Sequence, residues 1–441
     1  VRATNGVVLS VLSVVALVGM IASPLIARAL VASEPSSSVA AEKLDVMVPM
    51  VLVFVPQLVF YGLSMVTSAA LHARGRFVAA ALAPGVNNVI VIIACVLFRE
   101  SRAGALATLD ITVWQFVLIA GGTTLGVLAF SLAPAVVLRR QGVRWAPQWR
   151  PADESVRSLR SSFGWATLSV VGTLVPTGAA LVLGNGAEGG VAVFVYAFAF
   201  YVLPHALVAV PLATTLAPRV ADRWQVDDRG AAAAAIDTGI AATLPLLSLA
   251  GAGLVGLAWP LARVAAFGQT ASLGHAPIAH TFTAFGPGLL GYGVAFVMTR
   301  VLFALGDVRR ASVLMIAGAG VGVVTMVLTS TLMAPSERAA ALAIGYGASQ
   351  TVAAALLVRR VHVVTGAARV VTVIRRVADS TVSAVLAAVV MLGIVNGFSR
   401  TRSDSLGALF VAGVSGVLVF GAALAVFRWP EVRRRLARPQ E

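Results

Sequence analysis

The sequence predicts an all-α polytopic membrane protein. It is built as two pseudo-symmetric helical lobes in a parallel six-helix repeat, the first lobe incomplete, plus two additional C-terminal helices. Three observations predict it. Of 441 residues, 59% are hydrophobic and 12% charged, and apolar runs long enough to cross a bilayer recur throughout. Basic residues gather in alternate loops. The stretch FVPQLVFYGLSMVTSAALHARGRFVAA, 54–80, returns 231 positions later as FGPGLLGYGVAFVMTRVLFALGDVRRA, 285–311. Ten of those 27 positions are identical, among them Phe54 and Phe285, Pro56 and Pro287, Tyr61 and Tyr292, Gly62 and Gly293, and Gly75 and Gly306.

The apolar runs define twelve spans: 6–31, 46–71, 78–98, 112–138, 161–183, 190–217, 232–258, 277–305, 310–333, 339–358, 377–395 and 405–427. Gly and Pro are frequent inside them, as membrane helices tolerate. The first run is too long for the 7–15-residue core of a signal peptide and reads as a span. Net charge is +15, yet 24 of the 33 basic residues lie at Arg2 and in alternate loops from Arg74 to Arg438. The positive-inside rule puts those loops and both ends of the chain in the cytoplasm. No basic face is interleaved with exposed aromatics, so nucleic acid is excluded as a partner. A single cysteine, Cys95, rules out an intrachain disulfide framework and any cysteine-cluster metal site.

The stretch 139–160, RRQGVRWAPQWRPADESVRSLR, reads as a cytoplasmic linker. It separates an N-lobe of four helices, 1–138, from a C-lobe of six, 161–361; residues 362–441 hold the two additional helices and a short basic tail. The matched spans are the second and eighth, six apart and running the same way. Parallel halves of this kind commonly bind a substrate between them in alternating-access transport. The repeat also implies two further helices ahead of Val1, which is not a Met.

Three stretches carry a family resemblance: Pro56 to Asn88, Tyr196 to Ala221, and RVLFALGDVRR from Arg300 to Arg310. They resemble the MurJ/MviN family of lipid II flippases, within the superfamily that also holds polysaccharide flippases and multidrug exporters. The resemblance implies a bacterial cytoplasmic (inner) membrane protein that is not an enzyme. It implies flipping of undecaprenyl-pyrophosphate-linked peptidoglycan precursor, with the polyprenyl-pyrophosphate-linked substrate, membrane lipids and cell-wall synthesis proteins as partners and no cofactor. The chain departs from the family at Ala199 and Val202, where some members carry Arg and Glu, and at Ala311, where a Pro is usual. A flippase for another polyprenyl-linked oligosaccharide, a multidrug antiporter and a non-transporting scaffold for cell-wall synthesis are the alternatives.

Candidate site residues follow from polar groups in apolar helices. Arg300 is the only basic residue well inside a span, where a charge costs about 2.5–3.5 kcal/mol at the membrane centre. It either contacts a pyrophosphate or snorkels to the surface, pairing with Asp307. Asn87, Asn88, Gln57 and Tyr196 are further substrate-pathway candidates, with helix–helix glue as the alternative role. Pro56, Pro287 and Gly288 interrupt the repeated span and are hinge candidates. Arg74, Arg76, Asp307 and Arg309 are expected to form a clamp at the cytoplasmic face. His205 and His280 read as packing residues. No nucleotide-binding, hydrolase or metal constellation is visible.

Overall fold

The structure, a computed structural model, describes residues 2–76, 78–103, 108–143, 145–149, 154–267, 271–272, 274–398 and 401–436. Residues 144 and 150–153 of the expected linker, and 437–441 of the basic tail, lie outside the described residues. The described residues are helical without strands. Backbone groups facing lipid have no water to pair with, so helices that satisfy themselves are the solution such a composition permits.

Two compact units divide the chain, 1–164 and 165–441. The first unit holds α1 Arg2–Ile21, α2 Ser23–Leu30, α3 Ser37–Phe54, α4 Gln57–His72, α5 Val78–Ser101, a short α6 Val113–Phe116, a π-helical turn Val117–Gly121, and α7 Gly122–Arg140. The helix α8, Glu154–Gly184, enters the second unit, which continues with α9 Gly190–Gln225, α10 Arg229–Gly256 and α11 Ala258–Ala265. Then come α12 His275–Phe285, α13 Gly288–Ala304, α14 Val308–Leu332, α15 Arg338–Thr365, α16 Val370–Asn396 and α17 Arg402–Leu436. Among the described residues eleven helical stretches are long and apolar enough to cross a membrane, or twelve with the pair α12 and α13, bent by 48°, taken as one span.

The first expected span, 6–31, is two helices. Pro24 sits in the first turn of α2, where its missing N–H costs nothing, and the chain breaks at Ala22. The second span starts earlier than hydropathy suggested, because Ser36 caps α3 by accepting from the Val39 N–H at 3.4 Å. Between these helices Lys43 pairs with Glu34, a hydrogen bond that holds the glutamate carboxyl below the usual carboxylate range.

The repeat appears in the backbone as well as in the sequence. The repeated span breaks before Gln57 and again before Gly288, 231 residues later. Both second halves end in the same turn: Gly75 and Gly306 take φ of +70° and +80°. The next N–H then reaches back to the last helical turn, Arg76 to the Leu71 carbonyl and Asp307 to that of Leu302, each at 2.9 Å. This is a Schellman ending, and a glycine takes that φ without the penalty a Cβ brings. Gly62 and Gly293 serve one purpose too. A Cβ there would come within 2.3 Å of Leu12 in α1, or 1.9 Å of Leu247 in α10.

In the second unit, small residues bring helices together. Gly318 and Gly322 on α14 leave room for Ser349 and Ala353 on α15, and Gly416 on α17 for Met391 on α16. The pair α16 and α17 packs against α10 and α11, inside the second unit.

Candidate functional site

The two copies of the break are held in different ways. At the second, packing is backbone on backbone: a Cβ on Gly288 would lie 2.4 Å from the Gly347 Cα, and one on Gly251 would lie 2.6 Å from the Gly286 carbonyl oxygen. Helix α15 therefore meets the bend backbone to backbone at Gly288, and α10 meets it at Gly286 through the Gly251 backbone and the Val255 side chain. At the first, Val55 and Gln57 stand in place of Gly286 and Gly288. Val55 packs on Gly19, and Gln57, buried, donates from Nε2 to Thr124 Oγ1 at 2.7 Å. Thr124 in turn donates to the Ala120 carbonyl at 2.7 Å, within the π-helical turn. A π turn leaves carbonyls out of the regular ladder, and here the hydroxyls of Thr123 and Thr124 take up those of Ile119 and Ala120.

The remaining candidates of the first unit lie apart from that chain of hydrogen bonds. Asn88 is exposed and accepts from Asn87 at 3.3 Å, whereas Asn87 packs on Gly126 of α7, where a Cβ would come within 2.7 Å of its Oδ1. Arg74 and Arg76 are exposed just past α4.

In the second unit Arg300 is exposed on α13, with its guanidinium carbon 5.2 Å from the centre of the Phe296 ring. Its suggested partner Asp307 is occupied: Arg360 of α15 donates to the Asp307 carboxylate at 2.6 Å, and both side chains are about four-fifths buried. A charge-assisted bond of this kind contributes about 1.5–3 kcal/mol. Among the described residues no carboxylate forms an ion pair with Arg300. Arg309 lies over the Trp165 ring at 5.2 Å. Tyr196 donates to the Ala265 carbonyl at 2.6 Å, fastening α9 to the end of α11. His280 of α12 meets both carboxylate oxygens of Glu337, at 2.8 and 2.9 Å. Asp237 accepts from the Ala368 N–H at 2.8 Å, and Arg376 donates to its carbonyl.

A group that sequence reasoning did not assemble fills the middle of this unit. Tyr201, Phe285, Tyr292 and Tyr346, from α9, the α12–α13 span and α15, pack with centroids 4.6 to 6.3 Å apart. Each such pair adds about 0.5–1.5 kcal/mol beyond its burial. The Tyr201 hydroxyl donates to the Gly288 carbonyl at 3.0 Å, fastening α9 to the first residue of α13. Buried His205 lies face to face with Tyr292, centroids 3.8 Å apart. The available signal was aromatic side chains spread along three otherwise apolar helices, with GYG beside two of them. Among the described residues no group of three or more His, Cys, Asp or Glu could hold a metal ion.

These features define a polytopic helical membrane protein whose two units share a broken, glycine-terminated span. The chain matches the sequence profile of the family described as lipid II flippase MurJ over residues 1–411, and it belongs to that family. A probable lipid II flippase MurJ of Rhizobium tropici is 30% identical over 216 residues, 49% of this chain and 39% of that relative's length. The match thus spans well under two thirds of the relative. Among solved structures, a lipid II flippase MurJ in an inward closed conformation superposes with a TM-score of 0.71 at 14% identity, covering 98% of this chain and 84% of that one. An inward-facing multidrug resistance MATE family transporter of the MOP superfamily gives 0.62 at 16% identity, covering 79% and 78%. At such identities the likeness is one of fold.

Proposed function

We propose that the protein is a lipid II flippase of the bacterial cytoplasmic membrane. It carries undecaprenyl-pyrophosphate-linked peptidoglycan precursor from the inner to the outer leaflet by alternating access. The family match over residues 1–411 carries this reading, and the repeated break supports it, because alternating access needs related halves that bend. The movable break is the one at Pro56, where side chains make the contacts and can rearrange. The α12–α13 bend acts as a fixed strut. Arg300, exposed and without a carboxylate partner among the described residues, contacts the pyrophosphate. Both ends of the chain are cytoplasmic.

Depletion tests the activity. Lipid-linked precursor should accumulate out of reach of an externally added enzyme that degrades it, and cells should lose shape and lyse. A flippase for another polyprenyl-linked oligosaccharide is the second reading, favoured by Ala199 and Val202, which replace charges that some family members carry. It takes over when externally accessible lipid II stays normal on depletion while another surface glycan disappears. Topology is tested separately in a Cys95→Ser background. An impermeant thiol reagent on intact cells should label a cysteine placed at Ser37 and spare one placed at Ser155; the reverse pattern inverts the orientation.

A further inference from the structure

The repeat extends to a short helix in each unit. Both α2 and α11 are eight residues long, with a Pro-Leu pair in the first turn and an arginine near the end, Arg28 and Arg263. In the second unit the space between this helix and the next span is closed. Trp259, just before its proline, meets the His280 ring with centroids 5.7 Å apart, and α17 packs against α11 as well. In the first unit Ser23 stands before the proline, and Pro49 lies 231 positions ahead of His280. There a cavity of about 490 Å³ is left, with Pro24 and Arg28 of α2 and Ala41, Asp45 and Pro49 of α3 among its lining. Small-molecule sites span about 300–1,000 Å³.

Opposite charges line this cavity without meeting. Arg28 and Asp45 are exposed, and among the described residues neither forms an ion pair. The nearby lysine is taken: Lys43 pairs with Glu34. Glu42 is exposed and stands outside the lining. Pro49 adds a further acceptor. Having no N–H, it cannot donate to the Asp45 carbonyl four residues before it, so carboxylate and carbonyl are two acceptors on one turn. The cavity thus offers a guanidinium, suited to a phosphate, from one helix and acceptors suited to an ammonium from the other.

We propose that the α2–α3 cavity binds the head group of a zwitterionic phospholipid bearing a primary ammonium, with its phosphate on Arg28 and its ammonium at Asp45. A primary ammonium has three N–H donors for these acceptors, whereas a trimethylammonium has none, which separates ethanolamine head groups from choline. The setting makes the ligand a lipid. The span formed by α3 and α4 starts at this cavity and ends at Arg74 and Arg76, so the cavity lies at the opposite end, the outer face when the arginine-rich loops are cytoplasmic. Leu25 and Ile26 on α2 and Leu52 on α3 are exposed and give acyl chains an apolar surface. Among the described residues the first unit places no counterpart of α17 over its short helix, which leaves that surface open to the bilayer. The site does not depend on the flippase reading.

The test uses the full chain in phosphatidylcholine nanodiscs with a trace of phosphatidylethanolamine carrying a diazirine high on one acyl chain. After illumination the adduct should map to α2 and α3, although phosphatidylcholine is in excess. Unlabelled phosphatidylethanolamine should compete it away more effectively than phosphatidylglycerol, which has the phosphate and no ammonium. Asp45→Asn and Arg28→Gln should each lower the yield about two- to five-fold, the scale of one exposed charge contact, and Arg28→Lys should retain part of it. Ala41→Phe, which sets a ring into the open cavity, should abolish the adduct. Elution profiles after graded heating confirm that each variant is folded. An adduct spread evenly over lipid-facing helices, or one that survives both Asp45→Asn and Ala41→Phe unchanged, overturns the site. Equal competition by phosphatidylglycerol overturns the ammonium contact and with it the proposal. Equal competition by soluble phosphoethanolamine overturns the assignment to a lipid.

Discussion

Gly288→Ala is expected to remove most of the folded protein from the membrane. The added methyl group would lie 2.4 Å from the Gly347 Cα, and a backbone atom in a packed helix has no rotamer into which to retreat. Overpacking of this kind costs about 1–3 kcal/mol, a large share of the stability of an ordinary domain. Gly347→Ala meets the same contact from the other side, with its Cβ 3.1 Å from the Gly288 Cα, and should cost less. Gly253→Ala and Gly320→Ala are the controls. Nothing lies within 4 Å of either new Cβ, and alanine in a helix gains up to about 1 kcal/mol over glycine. Size-exclusion profiles of purified protein after graded heating should rank the variants in that order. A Gly288→Ala chain that survives heating as well as Gly320→Ala would show that α13 and α15 have slack, and the bend could not then be treated as a strut.

The contrast between the two breaks also shows what sequence can and cannot convey. Span number and order were legible because a bilayer demands long apolar runs, and that demand falls on each segment by itself. The relation between the halves was legible because it rests on residues with backbone duties, such as Gly75 with Gly306 and Gly62 with Gly293, which composition alone does not reproduce. The break at Ala22 was missed, since hydropathy averages over a proline that ends one helix and starts another. Asp307 was matched to neighbours in sequence, whereas its partner Arg360 lies 53 residues away on another helix. Tyr201, Tyr292 and Tyr346 meet only because glycines let α13 approach α15 at Gly288 and Gly347, a pairing that no single segment encodes. His205 was indistinguishable from the other lone histidines until its neighbours were in place. His280 then proved to be satisfied by Glu337 and His205 did not.

Arg300→Ala is expected to abolish complementation in cells depleted of the native protein while leaving its amount in the membrane unchanged. The two parts of that expectation have separate grounds. Arg300 is exposed, and its ring contact with Phe296 is of a kind that contributes only about 0.5–1 kcal/mol at an exposed site, so folding should not depend on it. For an anionic head group in a poorly screened environment, the loss of a guanidinium is a far larger change. Arg300→Lys should retain part of the activity, because the charge survives and the two-pronged geometry does not. Asp307→Ala gives the opposite signature. It strands Arg360 without its carboxylate, which for a largely buried pair costs about 3–5 kcal/mol, and protein should disappear from the membrane before any question of transport arises. Quantifying membrane protein alongside growth separates the two cases. If Arg300→Ala supports growth as well as wild type, the arginine merely reaches for the interface, and the pyrophosphate contact must be sought elsewhere.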